Sequence, residues 1–462
     1  MKGALVWSYA PYRPPLYDGG RSIYISRLAP GETGVTADWL PVDGASAYTV
    51  FYRLRGEEDA SVVTVEKPTV TVAGLTKEAE YEIWVETAEE KSRVRLFRTG
   101  ETVGTVVNYL HPEDPYYGFS GQYLCSPCLL RHPDGFLLAS MDVFGHGAPQ
   151  NLTLIFRSDD EGETWHYVTD LFPCFWGRMF IHRGELYMLA CSTEYGDLLI
   201  GKSEDGGKTF ATPTVLFRGG GQTGVCGVHK NPQPVVPWQG RLWNSMEWGS
   251  WKAIGTHASM LMSVPEDADL LDPANWEFTP PVPYDPAWEG TAKGKSGGTL
   301  EGCPVVAPDG KLYNIMRYQM LGCEPNFGRV LCFGVEGADQ PLRYDRAIAF
   351  PGNHAKFVIR RDEATGDYYA IVCRIRDAST AGDRNLCSLI RSADLEHWEL
   401  AADLIDGTDK DPKLVGFQYC DWIFAGEDIL FLCRTGMNGA HSMHDTNYST
   451  FHRVKNFRSL GK

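Results

Sequence analysis

The stretch that decides the fold is Arg157-Ser158-Asp159-Asp160-Glu161-Gly162-Glu163-Thr164-Trp165. About 45 residues later it returns as Ser203-Glu204-Asp205-Gly206-Gly207-Lys208-Thr209-Phe210, and a degenerate copy reads Ser392-Ala393-Asp394-Leu395-Glu396-His397-Trp398. In the two good copies an aspartate can accept backbone N–H bonds inside a tight turn, a glycine supplies unusual dihedrals, and an aromatic ring packs back between strands. Repetition at this spacing predicts a series of similar β-sheet units. The motif itself is given a structural role and no catalytic one.

Residues 103–462 contain six apolar hairpins that we expect to form the inner strands of six such units. The hairpins are Leu129–Asp142, Met179–Cys191, Pro234–Glu247, Pro304–Arg317, Phe357–Arg374 and Tyr419–Arg434. Amphipathic helical stretches of useful length are missing, so the prediction is an all-β, six-bladed β-propeller. Seven blades are the alternative if residues 250–297 hide another one. The last blade lacks an outer strand, and Thr105–Tyr109 is expected to supply it.

Residues 1–102 are predicted to form a separate small β-sandwich. Trp39 stands on an early strand, Tyr48–Tyr52 alternates as the next strand, and Leu75 precedes the strand Tyr81–Val85. This order resembles the fibronectin type III family. The resemblance implies a spacer or docking module, and we expect no chemistry there.

Composition restricts the classes of partner. The chain has 462 residues, 43% of them hydrophobic, and a net charge of −16 with acidic and basic residues interspersed. This charge argues against nucleic acid and anionic membrane surfaces as partners. A run of about 18 apolar residues does not occur, so we expect no membrane span. The sequence leaves the oligomeric state open.

The N-terminal residues and the cysteines favour a cytoplasmic protein. Met1–Pro11 reaches proline before the hydrophobic region of a signal peptide can form, so we expect no signal peptide. Most of the 12 cysteines stand in apolar strand patterns, as Cys373 and Cys433 do, which is typical of buried free thiols. Cys125 and Cys128 form a C-x-x-C pair without a second pair at zinc spacing, and we interpret the pair as structural.

Charged residues recur where the second strand of each inner hairpin ends. Alignment on Leu137, Leu186, Leu242, Leu312, Tyr369 and Ile429 places, five positions later, Asp142, Cys191, Glu247, Arg317, Arg374 and Arg434. Three arginines around one axis repel each other unless an anion neutralises them, and bidentate guanidinium geometry suits the carboxylate of a sugar acid. The alternative is a structural network in which the arginines pair with the neighbouring acids.

Polar and aromatic residues collect at the starts of the first strands, which lie on the same face. They are Arg178, His229, Asn231, Glu301, His354, Lys356, Gln418 and Tyr419, with the aromatic residues Trp176, Trp248 and Tyr318. A funnel lined by such groups is costly without a polar ligand, and the rings can stack on sugar faces. His441 and His444 form an H-x-x-H pattern beside Asp445 but outside a helix, so we expect no metal. We also expect no cofactor.

The repeated turn, the six blades and the arginines together resemble the Asp-box sialidase clan of carbohydrate-active enzymes. In that clan a substrate carboxylate is held by three arginines, which the resemblance assigns to Arg317, Arg374 and Arg434. The resemblance further implies that Asp142 protonates the leaving oxygen. It also implies that Tyr419, paired with Glu247 or Glu301, is the nucleophile.

A second, local resemblance is to propeller enzymes that cleave rhamnose–glucuronate linkages, which include lyases and hydrolases. The segments that carry it are Ser126-Pro127, Ala139–Gly145, Phe180–Tyr187, Asp269–Trp276 and Glu301-Gly302. Those enzymes have a catalytic histidine where this chain has Met141. His146, His229 and His354 are the alternative histidines.

Three hypotheses of different classes follow, and each implies an acidic oligosaccharide or glycan as partner. The first is a glycoside hydrolase that removes a terminal acidic sugar of the uronic or sialic acid type, with carboxylates chosen from Asp142, Glu247 and Glu301. The second is a lyase, in which arginines neutralise a uronate carboxylate and the proton goes to Tyr419, His229 or His354. The third is a non-catalytic glycan-binding propeller.

Overall fold

The computed structural model describes residues 7–9, 22–221 and 224–461, and the chain is all-β over these ranges. The helices in these ranges are four short 3-10 helices, Pro115–Tyr117, Pro273–Asn275, Ala378–Thr380 and Phe457–Ser459. None of these helices has the length or the apolar character needed to cross a membrane. Most of the segment Met1–Pro11, on which the signal-peptide expectation rests, lies outside the described residues.

The first part of the chain forms two sheets around one apolar core. β1 (Ser8–Tyr9) stands outside these sheets and pairs with Asp170 and Leu171 in the following part of the chain. The strands of the two sheets are β2 (Ser22–Ile23), β3 (Ile25–Pro30), β4 (Gly34–Trp39), β5 (Tyr48–Leu54), β6 (Ser61–Val65), β7 (Thr69–Ala73), β8 (Glu80–Glu86), β9 (Lys91–Ser92) and β10 (Arg95–Arg98). One sheet is β3-β4-β7, and the other is β2-β9-β8-β5-β6 with β10 against β8. Alternation along β4, β7 and β8 turns Trp39, Val72 and Val85 into the core. The fibronectin type III assignment and the boundary at residue 102 stay predictions.

Buried polar contacts attach these strands to the following residues. Arg95 Nε donates to Asp114 Oδ2 at 2.6 Å, and both side chains are buried. Arg27 donates through Nε and Nη2 to the carbonyl oxygens of Val107 and Val106. Breaking a buried ion pair is costly because it leaves an uncompensated charge. These contacts therefore hold the two N-terminal sheets against the chain from residue 106 to residue 114.

From residue 105 onward, antiparallel strands form six successive groups. The strands are β11 (Thr105–Tyr109), β12 (Tyr123–Arg131), β13 (Leu137–Phe144), β14 (Leu152–Ser158), β15 (His166–Leu171), β16 (Phe175–His182), β17 (Glu185–Cys191), β18 (Leu198–Ser203), β19 (Thr214–Phe217), β20 (Gly227–His229), β21 (Val236–Trp238), β22 (Arg241–Ser250), β23 (Thr256–Pro265), β24 (Glu277–Phe278), β25 (Lys293–Gly294), β26 (Gly298–Val306), β27 (Leu312–Gln319), β28 (Cys323–Glu324), β29 (Arg329–Val335), β30 (Arg343–Ala349), β31 (Val358–Arg361), β32 (Tyr368–Cys373), β33 (Leu386–Ser392), β34 (Glu399–Asp406), β35 (Gly416–Ala425), β36 (Asp428–Gly436) and β37 (Tyr448–Val454).

Strand pairing shows the groups and how the ring closes. They are β12 to β15 with β1, β16 to β19, β20 to β24, β26-β27-β29-β30, β31 to β34, and β35 to β37 with β11. The third and fourth groups are joined into one nine-stranded sheet by the pairing of His257 with Thr299. The last group lies against the first through β35 and β12. β11 pairs with β37, which confirms the prediction that Thr105–Tyr109 completes the last sheet. Residues 250–297 hold β23, β24 and β25, and the count of six blades stays a prediction.

The repeated turns form the hydrogen bonds expected from their sequence. Asp160 accepts from the backbone N of Thr164 at 2.9 Å and from its hydroxyl at 2.6 Å. Asp205 makes the same two contacts with Thr209, at 2.8 and 2.6 Å. Trp165 is buried behind the first turn. Each turn is therefore stabilised by contacts within its own few residues.

Candidate functional site

A cavity of about 510 Å³ opens at the end of the ring where the inner strands begin. All six groups of strands contribute to its wall. Seven residues proposed from the sequence line it: His146, Trp176, His229, Glu301, Arg317, Tyr419 and Arg434. The repeated turns lie at the opposite ends of the strands, because the first residue of β13 pairs with Ser158 while its last residue, Phe144, lines the cavity.

Four inner strands present a side chain to the cavity through the same backbone distortion. Ser126, Trp176, Glu301 and Tyr419 have φ values of 51°, 55°, 56° and 58°. The pairing of β12, β16, β26 and β35 shifts register at these residues. A bulge bends the strand and re-aims its side chain. Left-handed backbone costs a non-glycine residue about 1–3 kcal/mol, and strain of this kind is concentrated at functional sites.

The centre of the wall is a hydrogen-bonded group formed by Glu301, Arg317 and Tyr419. Tyr419 Oη donates to Glu301 Oε1 at 2.8 Å. Arg317 Nη1 donates to Tyr419 Oη at 2.7 Å and to Glu301 Oε2 at 2.6 Å. Asn231 Nδ2 also donates to Glu301 Oε1, at 2.8 Å. Both carboxylate oxygens are engaged, and the phenol directs its proton at Glu301.

Burial and Arg317 together set the protonation states of this group. Burial raises the pKa of Tyr419 above its ordinary value, although Arg317 opposes the rise. Burial acts to raise the pKa of Glu301, but Arg317, His229 and the hydrogen bond from Tyr419 together outweigh it and hold that pKa below its ordinary value. At neutral pH a neutral phenol therefore faces an ionised carboxylate, which is placed to accept the phenol's proton.

Two further guanidinium groups lie near the ring of Tyr419. The Cζ atoms of Arg317, Arg384 and Arg434 are 6.0, 5.8 and 5.0 Å from the ring centroid. Arg384 and Arg434 donate to neutral oxygens of the protein. Within the described ranges neither of these two arginines has a carboxylate at ion-pair distance. Three guanidinium charges thus face the single carboxylate of Glu301 at this wall, an excess that an anionic ligand would offset.

Arg374, which the sequence alignment grouped with the other arginines, does not line the cavity. Its Nη2 lies 2.8 Å from Asp403 Oδ2, and its Nε contacts Ser388 Oγ. The wall position is taken by Arg384, which stands just before β33. Arg374 therefore belongs to a structural ion pair, which corrects its assignment to the carboxylate-binding group.

The register of β32 explains this difference. Tyr368 lies opposite Ser392, the serine of the third turn, just as the first residue of β13 lies opposite the serine of the first turn. Tyr368, and not Tyr369, is therefore the equivalent residue, and five positions after it stands Cys373. Successive side chains on a strand point to opposite faces, so an alignment shifted by one residue selects a side chain on the wrong face.

His229 forms another part of the wall and is held by Glu247. His229 Nδ1 and Glu247 Oε2 are 2.7 Å apart, and both side chains are buried. Glu247 also accepts from the backbone N of Gly302 at 3.1 Å. A carboxylate at Nδ1 favours the tautomer with its proton on that nitrogen and leaves Nε2 as an acceptor. Glu247 lies behind the ring, so its effect on a ligand passes through His229.

Glu194 lines the cavity but is not among the candidates that the sequence indicates. Burial raises its pKa above the ordinary value, although the neighbouring His229 opposes the rise. Gln150 Nε2 donates to its Oε2 at 2.8 Å. A carboxyl group with a raised pKa inside a cavity is suited to general acid catalysis. Its sequence signal is weak, because Glu194 stands in the loop after β17.

Asp142 lies behind the wall and supports the bulge at Trp176. Its Oδ2 accepts from the backbone N of Trp176 at 2.7 Å, and its Oδ1 accepts from Thr153 Oγ1 at 2.5 Å. Burial raises the pKa of Asp142 to about 7. Asp142 does not line the cavity, whereas Glu194 does. The role of proton donor, which the resemblance assigns to Asp142, therefore fits Glu194 better.

Arg178 and Lys356 lie deeper in the ring, around Asp421. Arg178 Nη1 donates to Asp421 Oδ2 at 2.5 Å, and both side chains are buried. Burial lowers the pKa of Lys356, against the attraction of Asp421. These two cations therefore form part of a buried ion group below the cavity. Their assignment as substrate-binding residues is corrected to a structural one.

The four remaining predicted residues lie outside the cavity and contact other side chains or backbone atoms. The contacts are Trp248 with Phe217, Tyr318 Oη with Tyr284 Oη at 2.7 Å, His354 Nε2 with Asn326 O at 3.0 Å, and Gln418 Oε1 with Arg384 Nη1 at 2.5 Å. None of these four predicted residues lines the cavity. His354 and Gln418 hold Arg384 in place, since the carbonyl of His354 also accepts from its guanidinium.

Comparison with known proteins identifies the fold. No protein-family model matches the chain, and no curated protein is significantly similar to it in sequence. The chain is similar in structure to the α-L-arabinanase of Penicillium chrysogenum complexed with arabinobiose, with a TM-score of 0.50 and 12% identity over 78% of this chain and 99% of that one. It is also similar to the α-L-arabinofuranosidase Arb93A of Fusarium graminearum in complex with an iminosugar inhibitor, with a TM-score of 0.51 and 12% identity over 77% and 99%. At these identities the likeness shows the fold alone, a β-propeller, which agrees with the fold class predicted from the repeats.

Proposed function

We propose that the protein is a glycoside hydrolase that removes a terminal acidic sugar from a glycan or oligosaccharide. The observation that carries the proposal is the placement of Arg317, Arg384 and Arg434 around the hydrogen-bonded pair of Tyr419 and Glu301. A carboxylate on the sugar supplies the negative charge that this wall lacks, and guanidinium groups bind carboxylates in bidentate fashion.

The shape and lining of the cavity support a sugar ligand. Its volume of about 510 Å³ falls within the range of small-molecule sites. Trp176 and Trp251 line it and offer rings on which a sugar can stack. The similar folds are those of an arabinanase and an arabinofuranosidase, which act on neutral sugars by name, so the acidic substrate rests on the arginines.

In the first chemical step, Tyr419 Oη attacks the anomeric carbon and its proton passes to Glu301 Oε1. Glu194 gives its proton to the glycosidic oxygen, and the bond between that oxygen and the anomeric carbon breaks. The arginines hold the sugar carboxylate throughout and so position the anomeric carbon at the phenol. A tyrosine nucleophile suits an anionic sugar, because a carboxylate nucleophile would be repelled by the substrate's own charge.

In the second step, water attacks the anomeric carbon and the bond to Tyr419 Oη breaks. Glu194 accepts the proton of the water, and Glu301 returns its proton to the phenolate. The enzyme is restored and the acidic sugar leaves with its original anomeric configuration.

Substrate release tests the proposal. The protein is incubated with uronate-capped and sialate-capped oligosaccharides and with neutral counterparts. The products are then separated and identified by mass spectrometry. The expected result is a free acidic sugar from at least one acidic substrate, and its loss in Tyr419→Phe. Intact acidic substrates in every incubation would contradict the proposal.

One observation favours a lyase as the second candidate. The contact between His229 and Glu247 leaves His229 Nε2 as a base at the cavity wall. Arginines that neutralise a uronate carboxylate acidify the adjacent C–H, and His229 then takes that proton while the 4-linked oxygen leaves. The product of elimination contains a conjugated double bond that absorbs in the ultraviolet, whereas the hydrolysis product does not.

The proposal assigns the chemistry to residues 103–462, taken as a six-bladed propeller. Residues 1–102 are taken as a fibronectin type III-like module that serves as a spacer or docking surface. Their firm attachment through Arg95 and Asp114 favours a fixed orientation over a flexible one.

A further inference from the structure

Three histidines surround the carboxylate of Asp445 at one edge of the cavity. His444 Nδ1 is 2.8 Å from Asp445 Oδ1, and His146 Nε2 is 3.3 Å from the same oxygen. His441 Nδ1 is 2.9 Å from the other oxygen, Oδ2. The glycosidase chemistry proposed above uses none of these groups.

Three of these side chains have the spacing of a metal ligand set. One ligand atom each from His146, His444 and Asp445 lies within 4.8 Å of the other two. Zinc bonds of about 2.0–2.1 Å place neighbouring ligand atoms of a tetrahedral site about 3.3 Å apart. The contacts of 2.8 and 3.3 Å to Asp445 Oδ1 are close to this separation. Two histidines and one carboxylate leave coordination positions open for water or another oxygen ligand.

Neighbouring aromatic rings hold the ligands in place. The ring of His444 packs edge-on against Phe144 at 5.5 Å, and the ring of His146 stacks at 6.1 Å on that of His444. His441 stacks on Tyr123 at 5.4 Å and binds the second oxygen of Asp445. A group that binds the free oxygen of a ligating carboxylate orients it and is typical of metal sites.

The geometry points to a site for a divalent first-row cation, Zn²⁺ above all, formed by His146, His444 and Asp445 and oriented by His441. His146 and His444 line the cavity, so the open coordination positions are accessible to a ligand there. Asp445 supplies the negative charge of the ligand set, and the backbone of His444 is held by Arg434, whose guanidinium donates to its carbonyl.

The inferred site departs from the sequence-based expectation of no metal, and the reason is one of topology. His441 and His444 are neighbours in one loop, and their spacing alone is a poor zinc motif. The further ligand, His146, follows β13, almost 300 residues earlier in the chain. Closure of the ring between the last and the first group of strands brings the two loops together.

Calorimetric titration of ZnCl₂ into tag-free, chelator-treated protein at neutral pH tests the inference, without reference to any enzymatic activity. The wild type is expected to bind one equivalent. His146→Ala should weaken this binding by on the order of 100-fold, and His441→Ala by about tenfold, as expected for an orienting residue. His146 is largely exposed, so its replacement leaves folding unaffected. Co²⁺ in place of Zn²⁺ should give visible absorption bands that His146→Ala abolishes.

The chain offers a matched control in His397, whose Nδ1 lies 2.7 Å from Asp394 Oδ2 on the surface. His397→Ala removes a histidine–aspartate contact of the same kind outside the cluster, and it should bind Zn²⁺ as the wild type does. Absence of stoichiometric binding in the wild type would overturn the inference. So would binding that His146→Ala leaves unchanged, because the ion would then lie elsewhere, for example at the partly exposed Cys226.

Discussion

The two ends of the inner strands are built on opposite principles. At one end, the repeated turns satisfy their polar groups within a few residues, as Asp160 does with Thr164. At the other end, three guanidinium groups face one carboxylate. The turn end contributes stability from local contacts, and the cavity end retains unbalanced charge that a ligand can offset.

This difference implies that substitutions at the two ends have separable effects. A change at a turn should lower the free energy of unfolding and leave ligand affinity intact. A change at the cavity wall should lower activity or affinity more than stability. Four predictions test this separation, in order of decreasing effect.

The largest effect is expected for Tyr419→Phe. The change removes the hydroxyl that faces Glu301 and Arg317, and the proposed chemistry then has no nucleophile. We expect kcat/KM on the active substrate to fall by on the order of 10³-fold or more. Tyr368→Phe is the control, because Tyr368 Oη bonds the carbonyl of Val306 away from the cavity. Equal activity in the two variants would remove Tyr419 from the mechanism.

The arginines give the next effect, through a matched pair. Arg384→Ala should weaken binding of an acidic sugar by about 2–5 kcal/mol, because a buried charge-assisted contact is lost. Arg374→Ala breaks the ion pair with Asp403 at the outer side of its sheet. It should leave affinity unchanged and lower the melting temperature slightly, since partly exposed pairs contribute little. Titration calorimetry with thermal melting measures both quantities, and a loss of affinity in Arg374→Ala alone would refute the assignment.

Opposite pH dependence of stability should distinguish the two ends. Burial raises the pKa of Asp142 to about 7 in the folded protein, so its contribution is present below the unfolded pKa near 4 and is lost as the pH rises through about 7. At about 1.4 kcal/mol per pKa unit, the full loss is about 4 kcal/mol, of which on the order of 3 kcal/mol falls between about pH 5 and 8. Asp142→Asn should remove this part of the pH dependence in chemical denaturation between pH 5 and 8. An unchanged profile in the variant would contradict the raised pKa.

Asp160 should behave in the reverse way and with a smaller effect. Its hydrogen bonds from Thr164 outweigh its slight burial and hold its pKa below the ordinary value. Its contribution is therefore present above the unfolded pKa near 4 and is lost as the pH falls through the lower folded value. Asp160→Asn should cost about 1 kcal/mol of stability at neutral pH, as loss of a capping carboxylate does. Sugar release should stay at the wild-type level, and a matching loss of activity would show that the two ends are coupled.

The sequence predicts the turn end better than the cavity end because the determinants of a turn are local. Asp160 and Thr164 stand four residues apart, so their contact is visible as a pattern. The closing strand Thr105–Tyr109 was also predictable, because one sheet visibly lacked a strand. The cavity draws on loops of different groups, and Glu194 and Arg384 stand outside the strand positions that were aligned.

Two further features of the cavity end could not be predicted from the sequence, for specific physical reasons. Arg374 was misassigned because Tyr368 and Tyr369 are adjacent and identical, and choosing between them shifts the register by one residue. His146 and His444 are almost 300 residues apart, and nothing short of the closed ring shows that they meet. Residues such as Glu301 and Tyr419 were located from strand starts alone, but their mutual hydrogen bond was not visible there.

The most direct test of the central claim compares an acidic substrate with its carboxyl-reduced counterpart, in which a hydroxymethyl group replaces the carboxylate. The rest of the sugar, its linkage and its leaving group stay the same. If the arginine wall recognises the carboxylate, kcat/KM of the wild-type protein should be at least about 10³-fold higher for the acidic substrate, since a charge-assisted contact of several kcal/mol is lost on reduction. Equal cleavage of the two substrates would contradict the account.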